Sequence, residues 1–484
     1  MLVNGYKIEP FSDLSYAELS GANLSYADLS GANLNYTYFS NADLSNAILN
    51  NVNFSNAYGY DSDFNYADLS NSTLYYTNIS EANFINATLT NANLSYAYGY
   101  NADFSNATLN GSNLKNADID YSTLTGTDLS YADLSYANLT GSDLTGANLD
   151  YANLNYSSFV GAYLDGANLI NVYGYNPDFR NATLDYATLS GANFESANLS
   201  YAYGHNTDFR NATLDYANFS HSNLDGADFS YADARYADFK YADFNDAEFN
   251  YANLDGANFN YAYGYNANFS NAILNNVDFN NANLDGVDLS YVYLSYGDLS
   301  GAQLSNVYLS NATLYHVDLS YSDLNGSDLS GATLDYATLN NSNFSSSDFI
   351  DANLEGTNFS YADLSNATLY NVNISNAYGY YSDFSYADLS HATFYNVNIS
   401  NAYGYDSDFS YAYLSNTTLN NANLSYADFS NATLSDIDLS SADLSSAELD
   451  NANLSGAYGY NVDLSYANLN NAYLNGAYLE GAYL

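Results

Sequence analysis

The sequence predicts an all-β solenoid made of four-sided coils of 20 residues, and three observations predict it. From Leu14 to Leu484, every position whose number ends in 4 or 9 belongs to one class: of 95 such centres, 86 are Leu, Phe or Ile, and the frame never slips. Two residues before each centre stands a small residue, mostly Ala, otherwise Ser, Thr or Val, with Pro177, Gly297 and Ile437 as departures. The third observation is that a period of five suits neither ordinary element. Five residues advance an α-helix by about 500°, which sets successive centres about 140° apart and scatters them around the helix. On one long strand they would alternate between faces. The chain must therefore turn a corner every five residues, sending the small residue and the large one inward each time. Four corners close a coil, and coil paired on coil in parallel buries a continuous apolar axis. Asn, Asp, Ser and Ala are poor strand formers, yet they suit a chain that is nearly all corner.

Composition narrows the function classes. The 484 residues include 54 Asp and Glu against six Lys and Arg, a formal charge of -48, with 57 Tyr and neither Cys nor Trp. Without Cys there is no disulfide framework or thiolate metal site. A chain this acidic repels nucleic acid and anionic membranes, so a partner chosen by charge is a basic protein or a divalent cation such as Ca²⁺ along the Asp columns. No run approaches the ~18 apolar residues of a membrane span. The N-terminus, Met1-Leu-Val-Asn-Gly-Tyr-Lys7, lacks the apolar region of a signal peptide. No catalytic constellation stands out either: His205, His221, His316 and His391 have no Ser or Asp at triad spacing, and the sequence is expected to encode neither an enzyme nor a cofactor site.

Pentads such as Ala22-Asn-Leu-Ser-Tyr, Ala27-Asp-Leu-Ser-Gly and Ala147-Asn-Leu-Asp-Tyr resemble the A(D/N)LXX repeat of the pentapeptide-repeat family. The resemblance implies a right-handed quadrilateral parallel β-helix, running without interruption through residues 12–484 as about 24 coils. At ~4.8 Å per coil such a body is about 115 Å long. Residues 1–11, with Leu2, Val3, Ile8 and Phe11 out of frame and Pro10 stopping strand pairing, read as a short lead-in rather than a substantial cap. The family includes members that inhibit DNA gyrase by resembling DNA, which implies an alternative role as a DNA-mimic inhibitor of a type II topoisomerase. Those members interrupt the coil with loops or dimerise through a capped C-terminus, and neither feature is visible here.

The sequence stops on Leu484, a core residue in mid-pattern. An uncovered coil presents apolar surface and unpaired backbone, so the expectation is head-to-tail stacking through Val3, Ile8, Phe11, Tyr473, Tyr478, Tyr483 and Leu484, a heterologous contact that propagates a fibre. Subunits this acidic repel one another, so assembly should need salt or a bridging cation. A fibre suits the outside of a cell, although the sequence supplies no address.

Surface positions carry the remaining signals. On a four-sided coil, the position before the centre holds 13 acids on the face of Leu29, ten on that of Leu44, eight on that of Leu19 and only three on that of Leu14. The Leu14 face carries Asn33, Asn53, Thr73, Asn93 and Asn113 instead, which suits side-chain ladders or a lateral contact. Most Tyr lie two residues after a centre and should point outward, to stack along the solenoid, to pack laterally, or to hold sugar rings in a glycan-binding rod. Eight centres are Gly: Gly59, Gly99, Gly174, Gly204, Gly264, Gly379, Gly404 and Gly459. The next centre is Phe in seven of them, so the sequence suggests that this Phe, or an inward Tyr, fills the missing volume while Gly permits an unusual backbone. Arg180, Arg210, Arg235 and Lys240 cluster within about 60 residues and should pair with nearby Asp.

Overall fold

A computed structural model describes Met1–Leu484, and its two compact units, Met1–Asp243 and Phe244–Leu484, are built the same way. There is no α-helix in either. Within each unit the residue before every centre forms a parallel bridge to the residue 20 positions on: Asp13 to Asn33 through Asn223 to Asp243 in the first, Glu248 to Asn268 through Asp463 to Tyr483 in the second. Four bridge columns therefore run up each unit, one per side of the coil. No helix in the chain is long and apolar enough to cross a membrane.

The hydrogen bonds of one pentad explain its residue preferences. Leu14 N–H donates up to Asn33 C=O (2.7 Å), Tyr16 N–H up to Asn35 C=O (3.0 Å), and Asn33 N–H down to Ser12 C=O (2.9 Å). Ala17 N–H closes the corner on Leu14 C=O at 3.0 Å. The corner's third residue, Tyr16, has φ 61°, the positive value that a type II turn requires at that place. One N–H per pentad remains, that of Ser15, and Asp13 Oδ1 accepts it at 3.1 Å. Asn53 does the same for Ser55 at 3.0 Å. The Asp or Asn before each centre is thus the side chain that completes the backbone's hydrogen bonding. Where Tyr replaces it, the acceptor moves one coil away: Tyr175 N–H donates to Asn155 Oδ1 and Tyr265 N–H to Asn245 Oδ1.

The centres form the core. Leu, Phe and Ile centres are buried throughout, except in the last coil, where Leu474 and Leu484 are exposed. Many small polar residues facing inward donate to a backbone carbonyl, some to the coil below, as Thr37 Oγ1 does to Leu14 C=O at 2.8 Å, and some to their own corner, as Ser62 Oγ does to Gly59 C=O at 2.6 Å. Phe side chains stack coil on coil, Phe64 on Phe84 at 4.6 Å and Phe249 on Phe269 at 4.6 Å. Ala234 is buried where Phe229 and Phe239, the centres on either side, meet edge to face at 5.8 Å.

Two sequence expectations change. Residues 1–11 are not a plain lead-in. Strand β1 (Leu2–Val3) pairs antiparallel with strand β2 (Tyr6–Lys7) through Asn4 and Gly5, whose φ values of 51° and 86° make a two-residue hairpin turn. The Asn-Gly dipeptide was the signal for it. The Gly centres also differ. None of the eight has a positive φ, so no unusual backbone is involved. A Cβ on Gly59 would lie 1.9 Å from Phe39, on Gly264 1.9 Å from Phe244, and on Gly379 1.9 Å from Phe359. The filling ring thus comes from the same corner one coil earlier. The Phe five residues later, Phe64 in the first case, packs edge-on against that ring at 5.8 Å. Elsewhere an aliphatic neighbour does the filling: Ile119 at Gly99, Leu154 with Pro177 and Phe194 at Gly174, Leu224 at Gly204, Leu424 at Gly404 and Leu479 at Gly459.

Candidate interaction surface

Because the corner residue is left-handed and identical corners recur 20 residues apart, its side chains stand in columns on the outside. Tyr rings in successive coils stack face to face: Tyr16 on Tyr36 at 5.1 Å, Tyr136 on Tyr156 at 5.0 Å, Tyr361 on Tyr381 at 5.3 Å. A left-handed φ is unfavourable for a bulky L residue, and coil-to-coil stacking offsets that cost. Aromatics at the preceding position pack edge-on against these columns, as Tyr100 does on Tyr121 at 5.9 Å. All four His belong to the same system. His221 is sandwiched by Tyr201 and Tyr241 at 4.7 and 4.9 Å, His316 by Tyr296 and Tyr336 at 5.3 and 5.4 Å. His391 stacks on Tyr411, and His205 lies edge-on to Tyr186.

Charge is arranged around the same corners. The Ser30 hydroxyl and N–H hold the Asp28 carboxyl below the usual range, as those of Ser15 do for Asp13 and those of Ser465 for Asp463. Amide ladders join bridge positions on the Leu14 face, Asn53 to Asn33 at 3.3 Å and Asn33 to Asp13 at 3.0 Å. The arginines are taken up locally: Arg180 with Asp178 and Arg210 with Asp208 at 2.7 Å each, Arg235 with Asp215 at 2.6 Å and Asp233 at 2.8 Å. Lys240 lies 5.2 Å from the Tyr241 ring centroid. No group of three or more His, Asp and Glu converges as a metal site, so an ion on the Asp columns has no ready cage.

Burial disfavours the charged form of three carboxyls, Asp120, Asp215 and Asp335. Burial, and then the Glu355 carboxylate one coil on, push the Asp335 carboxyl above its usual range. A raised folded-state value means that the fold gains stability as pH falls through it and loses stability as pH rises through it. Asp335→Asn should therefore raise the melting temperature at pH 7, by a margin that shrinks toward pH 3. Thermal melts of both forms at the two pH values check this, and an equal or larger gain at pH 3 would refute it.

The second unit has a face unlike its others. Along the bridge column that runs from Asn253 to Tyr473 in steps of 20, none of the twelve residues is charged. The other three columns of that unit hold eight, five and four acids. Carboxylates on this side are confined to the turns, Asp255, Asp335, Asp351 and Glu355 among them. Exposed Ile273, Tyr293, Tyr413 and Tyr473 stand in the column. Two surface recesses open on it, one of about 370 Å³ lined by Tyr251, Asn271, Tyr291, Tyr293, Asn311 and Thr313, the other between Asn431 and Tyr473. In the first unit the acid-poor column expected from the sequence is the one that holds Asn33, Asn53, Thr73, Asn93 and Asn113. The acid-free run from Asn253 to Tyr473 is likewise legible by counting along one column, but a count over the whole chain hides it.

The residues expected at an end-to-end contact are scattered in role. Val3 pairs with Tyr6 inside the hairpin, and Ile8 is buried at 3% exposure with its N–H on Met1 C=O, so neither stands as a free edge. Phe11 is 82% exposed, its ring above Gly31. At the other end Tyr478 stacks on Tyr458 at 5.1 Å, Tyr473 and Tyr483 are exposed and bridge to Asn453 and Asp463, and Leu484 is exposed.

A stack of five-residue corners with parallel bridges 20 residues apart, an apolar Leu/Phe axis and an Asx at each turn defines a pentapeptide solenoid. The model of pentapeptide repeats (eight copies) matches residues 11–135, 142–173, 265–378, 382–458 and 460–484, and that of the pentapeptide repeat region matches 182–259. The chain belongs to the pentapeptide repeat family. Among solved structures it is 32% identical to HetL, a pentapeptide repeat protein involved in heterocyst differentiation regulation from the cyanobacterium Nostoc sp. strain PCC 7120, over 40% of this chain and 89% of that one, with a TM-score of 0.27. It is 35% identical to Rfr23 from the cyanobacterium Cyanothece 51142, over 19% of this chain and 63% of that one (TM-score 0.19). It is 33% identical to a pentapeptide repeat protein of the Arabidopsis thaliana thylakoid lumen, over 20% of this chain and 66% of that one (TM-score 0.19). No curated protein matches the chain.

Proposed function

We propose that the chain is a non-catalytic structural protein that assembles with further copies of itself. The observation that carries this reading is the uncharged bridge column from Asn253 to Tyr473 on a chain of charge -48. Copies of so acidic a molecule repel each other unless they meet where the carboxylates are absent, and this face also bears exposed Tyr and Ile. The surrounding Tyr stacks and Asx-completed corners support the reading by giving a surface whose side chains are held in place before any contact forms, which lowers the ordering cost of association. Lateral contact is the mode that the geometry favours. Head-to-tail stacking into a fibre is the axial form of the same proposal.

Sedimentation velocity and negative-stain microscopy across a salt series test it. The expected result is larger species at ~0.5 M NaCl than at ~10 mM, because the Debye length falls from about 30 Å to under 10 Å and repulsion is screened. Monomers at every ionic strength would sink the proposal. Adding Ca²⁺ at constant ionic strength separates screening from bridging. With no three-acid cage present, it should do no more than Mg²⁺.

Capture of a basic protein is the second reading, favoured by Asp388, Asp408, Asp428 and Glu448, four acids in consecutive coils of one column. A repeat of ~4.8 Å presents charge to a cationic groove more sparsely than the ~1.7 Å of duplex DNA. Inhibition of a type II topoisomerase by the purified chain would support this reading over self-assembly.

A further inference from the structure

We infer that the segment from Tyr251 to Tyr315 is an interface between two antiparallel copies of the chain, an inference that rests on the self-assembly reading and assigns it a surface and a register. Tyr251 and Tyr291 occupy one corner column two coils apart, exposed at 52% and 56%, with the smaller Asn271 recessed between them. At ~4.8 Å per coil the two rings stand about 9.6 Å apart. A third ring placed between them would lie about 4.8 Å from each. That is the spacing at which successive rings stack elsewhere in these columns, 4.7 to 5.4 Å. The recess is therefore a slot one ring thick. Asn311, also exposed, opens a second gap on the far side of Tyr291.

The same segment supplies the ring that fits. A two-fold axis lying between two such faces, across the coils and midway between the levels of Asn271 and Tyr291, exchanges those levels. Tyr291 of each copy enters the slot over Asn271 of the other, and Tyr251 enters the gap over Asn311. The neighbouring bridge column obeys the same exchange. Ile273, an aliphatic side chain 39% exposed at a position usually occupied by Asp, Asn or Thr, meets Tyr293 of the second copy, which is 57% exposed. Asn253 meets Thr313, and Asp255, the one carboxylate among these turns, faces Tyr315 rather than another carboxylate. Teeth meet gaps, apolar meets apolar, and no acid meets an acid. An isologous contact of this kind closes on itself and joins copies in pairs.

The test uses the full chain. Ile273→Asp places at this bridge position the residue that Asp278 already places at another, so the coil keeps its turn, and circular dichroism and melting should be unchanged. In sedimentation velocity at ~0.5 M NaCl, where self-association is expected, the variant should associate at least about tenfold more weakly. The chain has no Cys, so register can be read directly. An equimolar mixture of the Ile273→Cys and Tyr293→Cys proteins, oxidised under associating conditions, should give more covalent pair than either protein alone. If the natural chain associates but Ile273→Asp associates equally well, this interface is overturned while the assembly reading stands. If the natural chain never associates, both fall. Association weakened by Ile273→Asp, with cross-linking no greater in the mixture than in the single variants, overturns the antiparallel register.

Discussion

Phe39→Ala is expected to be among the most destabilising single substitutions in the first unit, at about 3–5 kcal/mol and toward the upper end. Phe39 is fully buried, packs on Phe54 at 5.4 Å and Phe64 at 5.8 Å, and covers Gly59 one coil on. Removing the ring leaves a void at two stacked corners, because Gly59 has no side chain to collapse into it. Leu94→Ala is the reference, since Leu74 and Leu114 flank it in the coils on either side and can relax inward. Contacts in a solenoid reach only neighbouring coils, so the loss should be local. Hydrogen exchange should show amides around Leu34 to Phe64 losing protection, while those around Phe409 keep it. A cost no greater than that of Leu94→Ala would show that the ring does not fill the Gly59 corner.

Gly379→Leu is expected to destabilise the second unit although it restores the repeat consensus. A Cβ at Gly379 would lie 1.9, 2.5 and 2.6 Å from three atoms of the Phe359 ring, which already fills that volume. Overpacking a core costs about 1–3 kcal/mol and sometimes more, and an entire Leu side chain should reach or exceed that range. Phe359→Leu should cost little in the Gly379→Leu background and much more on its own, because the two changes together give the Leu-on-Leu corner found at Leu74 and Leu94. Chemical denaturation of the four proteins of the cycle measures this coupling. Equal stability of Gly379→Leu and the natural chain would mean that the Phe359 ring can move aside.

Most of the fold was legible because one rule recurs without a slip. A five-residue period admits a corner and excludes a helix stripe or a long strand, so the inward Leu/Phe axis and the outward Tyr positions follow from counting. The terminal hairpin was legible in principle through Asn4-Gly5, but it lies outside the repeat and period counting passes over it. The candidate surface was legible only in part. That the Leu14 face is poor in acid can be read from residue numbers, as can the clustering of Arg180, Arg210 and Arg235. That Asp and Asn precede each centre because their side-chain oxygen takes the last free N–H of the pentad cannot, since it depends on which backbone groups the coils above and below have already used.

The sequence by itself determined the corner, the four-sided coil and the inward axis, because these depend on a local period and on which residues tolerate a turn. Only the tertiary structure decided what meets across coils: that Phe39, Phe244 and Phe359 fill the space of the glycines 20 residues on, that His221 and His316 complete tyrosine stacks, and that Tyr251, Asn271 and Tyr291 leave a slot one ring wide. The physical reason is that the neighbours that set volume and stacking lie 20 residues away in sequence but one strand spacing away in space.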